Sequence, residues 1–154
     1  MAAEKYLRQR IADAIKVKLE AIKRPDYHFK PTLITSAPED LPTTPTSPLT
    51  LYVKIGKEEI RQDLAAGIDH CTLEVGIVVA ETDYTDADER HTEHAGDVRK
   101  AMGTGISVTD SNSVTLPLSV WARGVDVWSA FGQLVTEIFF DVEYDCPSAQ
   151  PGVF

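Results

Sequence analysis

The stretch Cys71-Thr72-Leu73-Glu74-Val75-Gly76-Ile77-Val78-Val79-Ala80 decides the fold. Cys71, Leu73, Val75, Ile77 and Val79 alternate with Thr72, Glu74, Gly76, Val78 and Ala80. Successive side chains of a strand point to opposite faces, so this alternation predicts a strand with one buried face. The second face turns apolar at Val78 and Ala80, which predicts a central strand covered on both sides there.

Two further strands follow the same rule. Leu49, Leu51, Val53 and Ile55 alternate with Thr50, Tyr52 and Lys54. Near the end, Thr136, Ile138, Phe140, Val142 and Tyr144 face one way and Glu137, Asp141 and Glu143 the other. Prolines mark the weaker strands: Phe29 to Ser36 contains Pro31, and Val114, Leu116, Leu118 and Val120 flank Pro117. Proline cannot donate to a ladder, so both read as edge strands. Residues 56–68 are polar and read as a connection with a helical turn, and residues 106–113 read as a loop. The period of residues 121–133, which hold Trp121 and Trp128, leaves strand and short helix open.

Two helices are expected. Leu7, Ile11, Ile15, Leu19 and Ile22 recur at helical spacing, with Arg8, Arg10, Lys16 and Lys18 on the solvated side. This places a helix over residues 4–23, stopped by Pro25. A second opens after Asp83-Tyr84-Thr85, with Thr85 as its cap and Asp86, Asp88 and Glu89 in the first turn. Its inward stripe is Ala87, His91, Ala95, Val98 and Met102. Gly103 to Gly105 ends it. The expected fold class is α+β: a mainly antiparallel sheet of about four to five strands with two helices packed on one face. One domain over residues 1–146 is expected, with an exposed Pro-rich loop at 37–48 and a tail at 147–154.

Composition narrows the function classes. No apolar run reaches the roughly 20 residues of a membrane span, and the N-terminus lacks the apolar core of a secretory signal. A cytoplasmic, reducing compartment follows, so Cys71 and Cys146 are expected to stay reduced, with Cys146 in the tail. Net charge is −9. Residues 1–62 carry 11 Lys/Arg against 8 Asp/Glu, and residues 63–154 carry 4 against 16. The acidic half argues against binding a phosphate backbone, which takes clustered Lys and Arg.

Catalytic motifs are not found. Asp88, His91 and His94 share a helical face and offer donors to a divalent metal. The spacing is neither a zincin motif nor an EF-hand, so a capped, solvated helix start is the favoured reading. Gly103-Thr104-Gly105 follows a helix instead of preceding one, which is the wrong order for a phosphate loop. No nucleophile elbow is present. No catalytic, cofactor-binding or metal-binding residue is therefore assigned, and no cofactor is expected. Candidate contacts to a subunit or partner are Leu41, Pro42 and Pro45 in the proline-rich loop, with Trp121, Trp128 and Phe131, for which packing at the end of the core is the other reading.

The layout resembles the tail terminator proteins of long-tailed bacteriophages, also called tail completion or minor tail protein U-like proteins. The residues carrying the likeness are the opening helix ending at Ile22 and the strand Leu73–Ala80 with its acidic turn. The helix His91-Thr92-Glu93-His94-Ala95-Gly96-Asp97-Val98-Arg99-Lys100-Ala101-Met102 and the closing strand Thr136–Tyr144 complete it. The resemblance implies a non-enzymatic virion protein, assembled in the host cytoplasm. It implies a ring homo-oligomer, a hexamer, that caps the tail tube, ends its growth and meets the head–tail connector. DNA then passes through the lumen without specific binding. The insertion at 37–48 departs from a minimal member, so no contact is carried over to it. Other readings are a connector or tube subunit, a small intracellular binding module, and a metal-dependent enzyme using His91 and His94.

Overall fold

The computed structural model describes residues 7–38, 40–42, 44–45, 47–103, 105–109 and 115–147. In chain order come α1 (Leu7–Leu19), β1 (Leu33–Ser36), β2 (Leu49–Asp63), β3 (Ile68–Glu81), α2 (Ala87–Met102), β4 (Ile106–Thr109), β5 (Thr115–Ala130) and β6 (Gln133–Pro147). The strands form one sheet in the order β1-β2-β3-β6-β5-β4. β1 runs parallel to β2, and the other pairings are antiparallel. This corrects the expected sheet of four to five mainly antiparallel strands. The chain is mostly sheet, and its six strands form a mixed sheet curled into a half-barrel.

The extra strand length comes from segments whose polarity hid them. Residues 56–63 are not a connection. They continue β2 as an arm paired with Ile68–Leu73 of β3. The arm leaves the core, so its pairing rests on backbone hydrogen bonds and shows no apolar alternation. A bulge between Ile55 and Glu58 breaks the two-residue period as well. Residues 106–109, expected as loop, form β4 against Thr115–Leu118. Pro117 sits where β5 pairs with β4 alone, because pairing with β6 begins at Ser119. Its missing N–H costs no ladder bond on that open side. Residue 114 lies outside the described residues, as does the tail from residue 148.

The parallel β1–β2 pair explains the proline-rich segment. Parallel neighbours need a crossover of about a dozen residues, and residues 37–48 supply it. The crossover lies over one sheet face, where Ala37 and Leu41 pack on Tyr52, Val78, Ala80 and Val135. The double-sided burial of β3 at Val78 and Ala80 has this origin.

The opposite face carries the main core. Leu51, Val53, Leu73, Val75, Ile77, Ile138, Phe140 and Val142 pack with Leu7, Ile11, Ile15 and Leu19 of α1 and Val98, Ala101 and Met102 of α2. α1 touches β1 and β2 at one edge of the sheet and β4 at the other, which the curl alone permits. Its basic residues are not simply solvated. Arg8 Nη2 donates to Gly56 O at 2.8 Å, Lys16 Nζ to Ser36 Oγ at 2.7 Å, and Arg10 to the Thr109 carbonyl. The regular helix stops at Leu19, short of the expected residue 23, yet Ile22 stays buried. Asp86, not Thr85, caps α2: its side chain accepts from Glu89 N. No helix among the described residues is long and apolar enough to cross a membrane.

Candidate functional site

The acidic, histidine-bearing stretch folds inward. Glu81 ends β3 and is buried beneath α2. Arg90 Nε donates to both of its oxygens at 2.8 and 2.9 Å, and Arg90 Nη1 reaches Glu93 Oε2 at 2.7 Å. His94 is fully buried, with Nε2 3.0 Å from Glu81 Oε2 and Nδ1 3.0 Å from Thr136 Oγ1. His91 Nδ1 lies 2.7 Å from the same hydroxyl. The histidine committed to the interior is thus His94, while His91 is half-buried. Both nitrogens of His94 are already engaged, so it has no lone pair to offer a metal. Among the described residues no group of three or more His, Cys, Asp or Glu is arranged to hold a metal ion.

The charges follow from these bonds. Burial pushes the Glu81 carboxyl up, but hydrogen bonds from His94 and Arg90 outweigh it and hold it below the ordinary carboxylate value. Burial pushes His91 down, helped by the neighbouring His94. Asp97, on the same helix, accepts from His28 N at 2.6 Å and Phe29 N at 3.3 Å, and bonds His28 Nδ1 at 2.8 Å. That pairing raises His28 above its usual value. Phe29 closes the cluster edge-on to His94 at 5.3 Å, with Arg90 over its ring at 5.7 Å. This arrangement fastens α2 and the segment after α1 to the sheet.

Cys146, expected in the tail, is buried in β6 beside Cys71, and both are free thiols. Burial and the neighbouring Cys146 push the Cys71 thiol up to about 12, so it carries no thiolate at neutral pH. Tyr144 donates to Glu58, bracing the arm of β2 against β6.

The six candidate contact residues separate into two groups. Leu41, Pro42 and Pro45 are half-buried. Leu41 packs on the small apolar cluster, and Gln133 Nε2 donates to Pro42 O at 2.9 Å. Leu41 and Trp128 meet around a cleft of about 120 Å³ with Tyr52, Lys54 and Glu137. Glu137 Oε2 is buried there without a hydrogen bond, 3.7 Å from Lys54 Nζ. A Cβ at Gly76 would come within 2.8 Å of that oxygen, so glycine is what leaves room for the carboxylate.

Trp121, Trp128 and Phe131 do stand in solvent, at 60%, 39% and 61% exposure, along the β5–β6 hairpin. Seven residues apart on a regular strand, the tryptophans would lie on opposite faces. The bulge between Ala122 and Gly124 adds one residue. Trp121 then pairs with Asp141 and Trp128 with Val135, both on the crossover face. Phe131 and Gly132 form the two-residue turn, with φ of 53° and 73°. A bulky residue at positive φ is rare, and here it holds the ring out at the hairpin tip. Sequence reasoning missed Val125 and Val127, 42% and 53% exposed on the other face of β5. Their alternation with Asp126 and Trp128 was the available signal, masked by the bulge.

The outer side of β5 completes the surface. β4 covers only Thr115–Leu118. From Ser119 to Ala130 no strand among the described residues pairs with that side. Five exposed apolar side chains therefore border an open strand edge, a feature typical of interaction sites. No protein-family model matches the chain, and no curated protein matches it.

Proposed function

We propose that the chain is a ring-forming assembly protein of the tail terminator kind, which caps the tube of a long-tailed bacteriophage and joins it to the head connector. The observation carrying this reading is the open β5 edge, with Trp121, Val125, Val127, Trp128 and Phe131 exposed along it. Its exposed chemistry lies on a surface suited to other proteins, while the buried histidine and acid groups serve the fold. The strongly acidic half of the chain supports the second part of the reading, since a lumen lined by acid lets DNA pass without sticking.

In this proposal identical copies meet head to tail, and such heterologous contacts close into a ring when the rotation permits. Each stable contact needs about 800 Å² from each partner, which a hairpin and a sheet edge together can supply. The partners are further copies of the chain in a hexamer, the tube subunit below and connector proteins above. The protein works in the virion neck after assembly in the host cytoplasm.

Electron microscopy of the full chain mixed with tube subunits of the same phage tests this. The expected result is rings at tube ends and tubes that stop lengthening. Incorporation along the whole tube would instead make it a tube subunit, and tubes that grow on unchanged would overturn the proposal.

A further inference from the structure

We propose that the free chain pairs with a second copy of itself through β5, antiparallel across a two-fold axis at Val125, so that two six-stranded sheets become one. Three observations lead there. First, the edge is unguarded. Strand edges facing water are usually blunted with charge, lysine or proline. The arm of β2 is blunted in this way, with Lys54, Lys57, Glu58, Glu59, Arg61 and Asp63. Between Ser119 and Ala130 there is neither lysine nor proline, and the charges are Arg123 and Asp126 alone.

Second, the segment Trp121-Ala122-Arg123-Gly124-Val125-Asp126-Val127-Trp128 complements itself when read backwards. With Val125 opposite Val125 of the second copy, Gly124 faces Asp126 and Ala122 faces Val127. Trp121 faces Trp128, and Ser119 faces Ala130. Arg123, the bulged residue, comes beside Asp126 of the second copy. Each contact occurs twice, giving two aromatic pairs and two ion pairs. Opposed residues in an antiparallel pair must share a face. On a regular strand Trp121 and Trp128 fail that condition, and the bulge at Arg123 satisfies it.

Third, one of the two edge charges is open to a new partner. Asp126 makes no ion pair among the described residues, whereas Arg123 meets Glu74 and Asp141 only at 3.4 and 3.3 Å. β4 runs along that side of β5 only as far as Leu118, one residue short of the paired span. Such a contact is isologous and closes on itself at two copies. It describes the free protein and does not rest on the ring reading, because a head-to-tail ring uses the same edge differently.

Light scattering of the full chain and cross-linking of Val125→Cys test the pairing. Opposed Cα atoms in an antiparallel ladder are about 4.5–5.5 Å apart, within the span a disulfide needs. With oxidised glutathione, Val125→Cys is expected to form a linked dimer, while Leu64→Cys at the exposed far hairpin does not. Light scattering is expected to give twice the 17.0 kDa of one chain. Trp128→Ser and Asp126→Arg are each expected to raise the dimer dissociation constant about tenfold or more, the second through repulsion from Arg123. Both positions are exposed, and an unchanged circular dichroism spectrum verifies the fold. A monomer at high concentration, no Val125 link, or a dimer indifferent to both substitutions overturns the pairing. Rings without the Val125 link overturn it and leave the ring reading standing. A linked dimer that never caps tubes does the reverse.

Discussion

Asp97→Ala lowers stability by about 3 kcal/mol, most of it from donors left without an acceptor. Asp97 is 2% exposed and holds three bonds at one point, to His28 N, His28 Nδ1 and Phe29 N. Removing it strands the buried Phe29 N–H, and a buried unsatisfied donor costs about 1–3 kcal/mol. It also frees the segment between α1 and β1, whose Phe29 ring packs on His94 and in the main core. At about 2–4 °C per kcal/mol for a chain of this size, melting falls by about 6–12 °C. The substitution has a pH signature as well. His28 is raised by Asp97, so its contribution is present below pH 6.5 and is lost as pH rises through the folded value. Urea unfolding of both proteins is expected to show a larger deficit of the variant at pH 5.5 than at pH 8.5. A loss under 1 kcal/mol would contradict the assigned role.

Glu81→Ala is the second large effect, at about 3–5 kcal/mol. Glu81 pairs with the Arg90 guanidinium and lies 3.0 Å from Nε2 of fully buried His94. Arg90 keeps Glu93 when Glu81 is gone, but buried His94 loses its hydrogen-bond partner at Nε2. Glu81→Gln keeps an acceptor and costs less. The acid limb follows from the carboxyl. Its folded pKa is lowered, so its contribution is present above the unfolded value near 4.5 and is lost as pH falls through the folded one. His91, lowered by burial, works in the same direction from pH 6.5 downward, because the unfolded chain takes that proton first. Chemical denaturation from pH 7 to 3 is expected to show a steeper loss for wild type than for Glu81→Gln. Parallel curves would remove Glu81 from the account.

These two carboxylates show what a sequence conceals. The spacing of His91 and His94 on one helical face is visible in the chain, but their shared partner, Thr136, lies on a strand more than forty residues away. Asp97 reads as one more acidic residue on a polar helix. Only the packing of the 24–31 segment under α2 makes it a buried acceptor. The same division runs through the fold. Cys71–Ala80 is legible because its alternation records burial, and β3 extends only a few residues beyond it to Ile68–Glu81. The arm of β2 and the outer half of β5 are strands without a buried face, so hydrophobic pattern carries little trace of them. Two bulges, at Ile55/Glu58 and at Ala122/Gly124, shift the period where a reader would look for it. The parallel placement of β1 was equally hidden, since the direction of an edge strand is set by the route of the crossover.

Trp121, Trp128 and Phe131, whose sequence suits the end of a core as well as a contact, are exposed, and the bulge gathers both tryptophans on one face. Leu41 and Pro42 are half-buried, although proline-rich sequence reads as exposed loop. Here a parallel crossover has to travel along the sheet, and its apolar residues find cover on it.

Amide hydrogen exchange of the full chain, followed as its concentration is raised, tests most directly whether the β5 edge is the surface through which this protein associates. Protection of amides within Ser119–Ala130 is expected to grow with concentration, while the β2 arm from Lys57 to Asp63 exchanges as before. Exchange in Ser119–Ala130 that stays fast at every concentration would contradict the account.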